Sequence, residues 1–165
     1  MGIDNPSQLV FTNLGMGQMQ ILAQAMASFA PIGSKIALTG EMGSGKTAFL
    51  RFFFESFGRF DGFRSPTYSI INTYEFDEGF FACHIDAYRL QDESELYFSG
   101  FDTLADARYV AIEWSENVMG VFSEDDIFIS LLVASDNTRD VTVKSANSSF
   151  MAKLAQKAEE IARHR

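Results

Sequence analysis

Hydrophobic residues along this chain occur mainly in short runs of strand length, separated by stretches in which apolar residues recur at helical spacing. The alternation predicts strands over 36–39, 68–74, 80–86, 109–114, 126–133 and 139–144. Four helices are predicted. The first runs from a cap at Thr12 or Asn13 to about Phe29, and the second covers 48–57. The third is short and begins at Asp92, and the last begins at a cap at Ser148 or Ser149. Residues 1–11 show no clear element, and a turn at 77–79 indicates an antiparallel hairpin. These elements predict the α/β class with a mixed sheet.

The helix over 48–57 is apolar nearly all round. Apart from Arg51 and Glu55, it is dominated by phenylalanine and leucine. A helix of this kind is buried on most sides, so we expect it to pack against the central sheet.

Composition places the chain among globular proteins of one domain, over 1–165. Its 165 residues are 47% hydrophobic and include 17 Phe, which is enough for a substantial core. No apolar run approaches the roughly 20 residues of a membrane span, and 1–11 lacks the pattern of a secretion signal. A single cysteine, Cys83, excludes an internal disulfide, so we expect a cytoplasmic protein without a membrane contact.

The charge balance argues against direct binding to nucleic acid. The formal net charge is −9. Four basic residues of the chain are crowded into the last helix, and few lie along the motifs described below. Because an acidic surface repels phosphate backbones, we expect no tight binding to nucleic acid by the protein alone.

The segment Gly40–Thr47 carries the most specific chemistry in the chain. It has the form G-x-x-x-x-G-K-T and lies between the strand at 36–39 and the helix at 48–57, which is the context of a phosphate-binding loop. Its glycines let N–H groups point into one concavity, and the helix dipole adds positive potential. Lys46 would reach the β- and γ-phosphates of a nucleoside triphosphate, and the Thr47 hydroxyl would ligate Mg²⁺. The predicted nucleotide contacts from this region are Glu41, Met42, Gly43, Ser44, Gly45, Lys46, Thr47 and Ala48.

Such a loop needs a nearby carboxylate to hold Mg²⁺ or to polarise water, and two predicted strands end in one. Asp86 ends the run 80–85, and Glu113 ends the run 109–112. Because α/β sheets bind ligands at the carboxyl ends of their strands, both acids are candidates. The residue types do not decide which of the two acts on the attacking water.

Three further features each allow two interpretations. His84 precedes Asp86 by two residues, and as a lone strand histidine it is interpreted as structural rather than catalytic. Trp114, the only tryptophan, either packs in the core or leans over the nucleotide. The Ser-Pro-Thr-Tyr segment at 65–68 is either an ordinary loop or a loop that senses the γ-phosphate.

Taken together, these motifs resemble the TsaE family, small ATPases required for tRNA threonylcarbamoyladenosine biosynthesis in bacteria. Four segments match the family in order and spacing, and the resemblance spans about 12–145. The segments are Gly40–Thr47, Ser65-Pro66-Thr67-Tyr68, His84-Ile85-Asp86-Ala87-Tyr88-Arg89-Leu90 and Ile112-Glu113-Trp114. The last two are far more specific than a phosphate-binding loop alone.

The resemblance implies a three-layer P-loop NTPase fold with a mixed, mostly parallel central sheet of seven strands. It also implies ATP hydrolysis with Mg²⁺ that is weak alone and stimulated in a complex with TsaB and TsaD, so that tRNA is reached only indirectly. By motif match, Lys46, Asp86 and Glu113 are catalytic, and Thr47 and Glu113 hold the metal. Thr67 and Trp114 join the nucleotide contacts. The residues after Ile112-Glu113-Trp114 and after Gly100-Phe101-Asp102 depart from the family pattern, which affects the expected partner contacts.

Two other functions use the same loop. One is a small-molecule kinase, although no arginine-rich lid segment is visible. The other is a nucleotide-gated binding module whose turnover is incidental, and the sequence does not separate this function from that of an ATPase.

Overall fold

The computed structural model describes residues 6–60, 62–64 and 69–164 and arranges them around a seven-stranded mixed sheet. The predicted loop at 65–68, with Thr67, lies outside the described residues. The strands are β1 (Gln8–Leu14), β2 (Lys35–Thr39), β3 (Ile71–Glu75), β4 (Phe81–Asp86), β5 (Val110–Glu113), β6 (Ile127–Ser135) and β7 (Thr138–Lys144). The helices are α1 (Met16–Phe29), α2 (Lys46–Glu55), α3 (Glu93–Phe98) and α4 (Ser148–Arg163), with 3-10 segments at Phe101–Leu104 and Ser115–Val121.

The strand order is β1-β7-β6-β2-β5-β4-β3. The four central strands β6, β2, β5 and β4 are parallel to one another, whereas β1, β7 and β3 extend the sheet in antiparallel pairs. This confirms the prediction of an α/β fold whose mixed sheet is mostly parallel at its centre. The predicted hairpin is also confirmed, because β3 and β4 pair directly, with Ile71 opposite Ile85.

Two hydrophobic clusters lie on opposite faces of this sheet. The larger cluster holds the buried side chains of α1, α2 and α4, and the smaller one lies beneath α3 and the 3-10 segments. In β5, Ala111 belongs to the larger cluster, whereas Val110 and Ile112 belong to the smaller one. Since side chains alternate between faces along a strand, Glu113 lies on the same face as Ala111, towards α2. The sheet therefore directs this carboxylate to the phosphate-binding side.

Helix α2 is buried as predicted. Phe49, Leu50, Phe53 and Phe54 are completely inaccessible to solvent. The Phe53 ring makes edge-to-face contacts with the rings of Phe54, Phe57 and Tyr109, at centroid distances of 5.6, 5.3 and 5.5 Å. These contacts fix the helix whose first turn carries Lys46 and Thr47.

Replacing Phe53 with alanine should therefore lower the free energy of unfolding by about 3–5 kcal/mol, since it removes a fully buried ring and leaves a cavity. Phe98 is the matched control because it is 90% exposed, so that Phe98→Ala should change stability by less than about 0.5 kcal/mol. Urea denaturation of both variants measures the difference. Equal midpoints would contradict this account of the core.

One expectation about the N-terminal region was wrong. Residues 8–14 form the edge strand β1, which pairs antiparallel with β7. The pairing register shifts between Phe11 and Leu14, and Asn13 has a positive φ of 55°. This irregularity breaks the alternation of apolar and polar residues by which a strand is identified in a sequence. The strand also depends on β7, far along the chain, for its hydrogen bonds.

The predicted helix caps also shift. Thr12 and Asn13 lie in β1, and Gly15 is the N-cap of α1. Helix α4 is capped by Asn147 rather than by Ser148 or Ser149, because the Asn147 side chain accepts a hydrogen bond from the Phe150 N–H at 2.9 Å. Asparagine is as good a cap as serine, so composition did not separate the candidates.

Within the described residues, no helix combines the length and the hydrophobicity that crossing a membrane requires.

Candidate functional site

The loop at 40–45 connects β2 to α2 and is built on three glycines with left-handed or otherwise positive φ. These angles are 146° at Gly40, 80° at Gly43 and 103° at Gly45, the N-cap of α2. Gly40 is also required by space, since a Cβ there would lie 2.5 Å from the Leu131 carbonyl oxygen of β6. The loop thus turns tightly against the sheet and brings the N-terminus of α2 to the carboxyl edge of the strands, as the motif predicts.

Lys46 lies at the mouth of this loop and is only 5% exposed. Its ammonium donates to the carbonyl oxygens of Gly40 and Glu41, at 2.6 and 2.9 Å. Burial lowers the pKa of Lys46 below its ordinary value, while the carboxylates of Glu113, Glu116 and Asp86 oppose that shift by favouring the charged form. The site therefore holds a cation among three acids, which suits a polyphosphate accompanied by a divalent metal.

Glu113 is held between two side chains from different parts of the fold. The Thr47 hydroxyl donates to Glu113, with Oγ1 at 2.9 Å from Oε1 and 3.1 Å from Oε2. His84 Nε2 lies 2.8 Å from the same Oε1, and this nitrogen carries the hydrogen because a carboxylate only accepts. The His84 ring is completely buried and stacks on Phe63 at a centroid distance of 5.2 Å. The carboxylate is therefore oriented towards Thr47.

Asp86 lies beside Glu113 because β4 and β5 are adjacent and in register. The two residues are paired across the parallel strands. Asp86 Oδ1 accepts the N–H of Tyr88 at 3.0 Å, and the side chain lines the same cleft as Glu113. The prediction that both acids meet at the carboxyl edge of the sheet is thus supported by the fold.

Trp114 has an unusual backbone conformation for a large side chain, with a φ of 55°. It packs partly against the smaller cluster, and Lys46 Nζ lies 4.2 Å from the centroid of its ring. The Tyr88 ring also packs against the indole, at a centroid distance of 4.9 Å. Trp114 therefore contacts the core and also lines the cleft, and its contact with a nucleotide stays a prediction.

These groups surround a cleft of about 320 Å³. Its lining residues are Met42, Gly43, Gly45, Lys46, Thr47, Ala48, Asp86, Tyr88, Glu113 and Trp114. Of the predicted nucleotide contacts that the structure describes, Glu41 and Ser44 do not line it. The Glu41 side chain is exposed to solvent, and the buried Ser44 hydroxyl packs against Gly40.

Three residues at or next to the site had no predicted role in it. Tyr88 lies within the matched segment 84–90 but was not assigned a function. His84 is a structural residue by its sequence pattern, whereas its hydrogen bond with Glu113 ties it to the site. Arg139, in β7, donates hydrogen bonds to the carbonyl oxygens of Gly43 and Ser44 in the loop. No local sequence pattern distinguishes Arg139 from any other arginine that follows a turn, so the sequence offers no signal for its contact with the loop.

The donor set is compatible with Mg²⁺ bound together with phosphate. A hydroxyl and a carboxylate are hard oxygen ligands of the kind this ion prefers. The described residues contain no cluster of three or more His, Cys, Asp or Glu that could hold a metal ion by itself. Magnesium commonly keeps several waters and takes the remaining ligands from substrate phosphates, so a site with few protein ligands fits it better than it fits zinc.

Comparison with known proteins identifies the family. The sequence model described as "Threonylcarbamoyl adenosine biosynthesis protein TsaE" matches residues 15–141, which is most of the chain. This chain belongs to the TsaE family. The family takes part in tRNA threonylcarbamoyladenosine biosynthesis. The matched residues include the phosphate loop, Asp86, Glu113 and Arg139, whereas α4 lies outside the match.

Relatives of TsaE type from several bacteria agree with this assignment. The protein named tRNA threonylcarbamoyladenosine biosynthesis protein TsaE from Bacillus subtilis is 29% identical over 159 residues, which cover 95% of this chain and 96% of the relative. The protein of the same name from Rickettsia felis is 31% identical over 133 residues, covering 79% and 77%. The one from Borreliella burgdorferi is 41% identical over 101 residues, covering 59% and 72%.

A solved structure supports the TsaE fold as well. The crystal structure of Bacillus subtilis YdiB superimposes with a TM-score of 0.67, covering 93% of this chain and 95% of the other at 24% identity. At this level of identity the similarity is evidence for the fold alone.

Proposed function

We propose that this protein is a Mg²⁺-dependent ATPase that supports the TsaB–TsaD complex in forming threonylcarbamoyladenosine in tRNA. The observation that carries the proposal is the meeting of Thr47 and Glu113 at the mouth of the glycine loop, beside Lys46. A structural turn has no need of a buried carboxylate oriented by a histidine towards the first helical turn. A nucleotide-binding site has that need, because the metal that accompanies ATP takes oxygen ligands.

Each group has a distinct role in this proposal. The loop amides and the N-terminus of α2 bind the phosphates, and Lys46 neutralises their developing negative charge. Thr47 and Glu113 would hold Mg²⁺, which supplies further neutralisation of phosphate charge. Asp86, next to Glu113 on the neighbouring strand, orients the attacking water. Trp114 and Tyr88 form an aromatic wall on one side of the cleft.

The same arrangement favours slow hydrolysis by the isolated protein. Among the described residues that line the cleft, Lys46 is the only cation. A second positive group that stabilises the transferring phosphoryl, such as an arginine finger, is worth roughly 10³–10⁵ in rate in other phosphoryl-transfer enzymes. A partner protein can supply this group, which is how the proposed TsaB–TsaD complex would stimulate turnover.

Partner dependence is the experiment that tests this function. The purified protein should turn over ATP slowly, and adding TsaB–TsaD should raise the rate by at least about tenfold, as expected for a catalytic group supplied in trans. A pull-down on immobilised TsaB–TsaD in ATP and in ADP should retain different amounts of the protein. Fast hydrolysis by the protein alone, unchanged by the partners, would contradict the proposal.

The route to tRNA is tested in parallel. With a formal net charge of −9, the protein should bind unmodified tRNA no more tightly than about 1 μM at physiological salt, because nonspecific affinity depends on Lys and Arg neutralising phosphates. Filter binding of the pure protein measures this affinity. Submicromolar binding without any nucleotide-dependent pull-down would contradict the partner-mediated route to tRNA.

A further inference from the structure

Arg139 joins the antiparallel end of the sheet to the phosphate loop. It lies in β7, where it pairs with Leu14 of β1 on one side and with Val133 of β6 on the other. Its Nε donates to the Ser44 carbonyl oxygen at 2.8 Å, and its Nη2 donates to the Gly43 carbonyl oxygen at 3.2 Å. A rigid strand thus reaches the loop through one side chain.

The remaining bonds of Arg139 hold its guanidinium in place. Nη1 donates to the carbonyl oxygens of Thr138 and Ser135, at 2.9 and 3.2 Å. All four of its hydrogen bonds to described residues therefore end on backbone carbonyls, and none ends on a carboxylate. Since a guanidinium is planar and its donors are fixed relative to one another, bonds on both sides leave the group little freedom.

Strands β6 and β7 pair antiparallel and form the hairpin that carries Arg139, and the loop contacts this hairpin at a second point. Gly40 lies so close to Leu131 of β6 that a Cβ at position 40 would be 2.5 Å from the Leu131 carbonyl oxygen. The start of the loop is therefore fixed by contact with β6, and its end is fixed by hydrogen bonds from β7. Between these points the backbone passes through Gly43, whose φ is 80°.

Peptide geometry links these contacts to phosphate binding. The carbonyl of Ser44 shares a planar peptide with the N–H of Gly45, and in a trans peptide the two groups point in opposite directions. Fixing this carbonyl against Arg139 therefore directs the Gly45 N–H away from β7. Gly45 lines the cleft and is the N-cap of α2, so its N–H belongs to the group of donors that a helix N-terminus offers to an anion.

We propose that Arg139 is a positioning residue of the nucleotide site, which sets the orientation of the loop peptides at 43–45 through its fork of hydrogen bonds. The inference rests on the proposed function, because it takes the ligand of the loop to be a nucleotide polyphosphate. The planar arrangement of the guanidinium donors, rather than the positive charge, is what sets the orientation of these peptides. A lysine at the same position keeps the charge but offers no planar fork to two successive carbonyls.

The test compares Arg139→Gln and Arg139→Lys with two controls. Ser135→Ala removes the hydroxyl contact between Ser135 and Thr138 at the tip of the same hairpin and leaves the loop untouched. Arg163→Gln removes an exposed arginine that pairs with Glu159 on α4. Binding of ATP and ADP is followed by the fluorescence of Trp114, the only tryptophan, and amide hydrogen exchange is measured over 40–47.

Arg139→Gln should raise the dissociation constant for both nucleotides about ten- to a hundredfold, as the loss of two charge-assisted hydrogen bonds implies. Exchange of the loop amides should become faster. Arg139→Lys should remain closer to Arg139→Gln than to the unaltered protein in both measurements, whereas the two controls should bind nucleotide normally. These results together would support the positioning role.

Three results would overturn it. The first is normal affinity and normal exchange in Arg139→Gln. The second is full recovery in Arg139→Lys, which would mean that charge alone matters. The third is an equal loss in Ser135→Ala, which would assign the effect to the hairpin. If Arg139→Gln does not fold, Arg139→Lys decides the matter, since normal affinity and exchange in that variant exclude a role for the fork.

Failure of this inference is distinguishable from failure of the proposed function. If the unaltered protein binds no ATP, the proposed function is wrong. If it binds ATP, and Lys46→Ala loses binding while Arg139→Gln retains it, only the role of Arg139 is wrong.

Discussion

Replacing Lys46 with alanine should abolish ATP turnover and weaken ATP binding on the order of a hundredfold, because it removes the charged donor that would meet the phosphates in the proposed site. The ammonium is the only cation among the described residues of the cleft, and it faces Glu113, Glu116 and Asp86. Without it, polyphosphate would enter a site dominated by carboxylates. Turnover is measured by phosphate release, and affinity by the fluorescence of Trp114.

The controls for this variant follow from its burial. Lys46 is 5% exposed and donates to two loop carbonyls, so its removal also affects the loop itself. Lys46→Met keeps most of the apolar stem and should lose binding as severely as alanine. Lys153→Ala, on the exposed face of α4, should leave binding unchanged. Normal turnover in a folded Lys46→Ala variant would reject the phosphate-loop assignment.

Replacing the two acids should produce different losses. Glu113→Gln should raise the Mg²⁺ concentration needed for activity by about ten- to a hundredfold, since it changes the carboxylate that Thr47 and His84 orient at the proposed metal position. Asp86→Asn should instead lower turnover by about 10²–10⁴ while changing ATP affinity little, because a residue that acts on the attacking water contributes mainly in the transition state.

Magnesium titrations of both variants separate these roles. Asp106→Asn is a suitable control, since Asp106 is exposed and does not line the cleft. Identical shifts in the magnesium requirement for the two variants would show that the division between them is wrong. Asp86→Asn and Lys46→Ala also form a useful pair in a reconstituted modification assay. If only the variant that cannot bind ATP fails there, the protein acts as a nucleotide-gated binding module rather than through hydrolysis.

Features that depend on neighbouring residues could be predicted from the sequence. The glycine loop is an example, because positive φ at Gly40, Gly43 and Gly45 and the helix that follows are properties of one short segment. The hairpin of β3 and β4 and the burial of α2 were also predictable, since turn residues and an apolar helix surface are local patterns.

Edge strand β1 was not predictable in this way. It contains a register shift, and its hydrogen bonds come from β7, which lies more than a hundred residues further along the chain. The sequence around Gln8–Leu14 carries too little alternation to show a strand without that partner. Thr67 stays a prediction, since the loop at 65–68 lies outside the described residues.

The sequence by itself determined which residues could do chemistry. It identified Lys46 and Thr47 through their motif, and Asp86 and Glu113 through their positions at the ends of apolar runs, because these features are encoded within a few neighbouring residues. Only the tertiary structure decided which of them meet. Strand order places Asp86 beside Glu113, the face of β5 directs Glu113 to Thr47, and β7 brings Arg139 to the loop. These contacts join residues far apart in the chain, and the packing of the whole sheet, which no local pattern records, sets them.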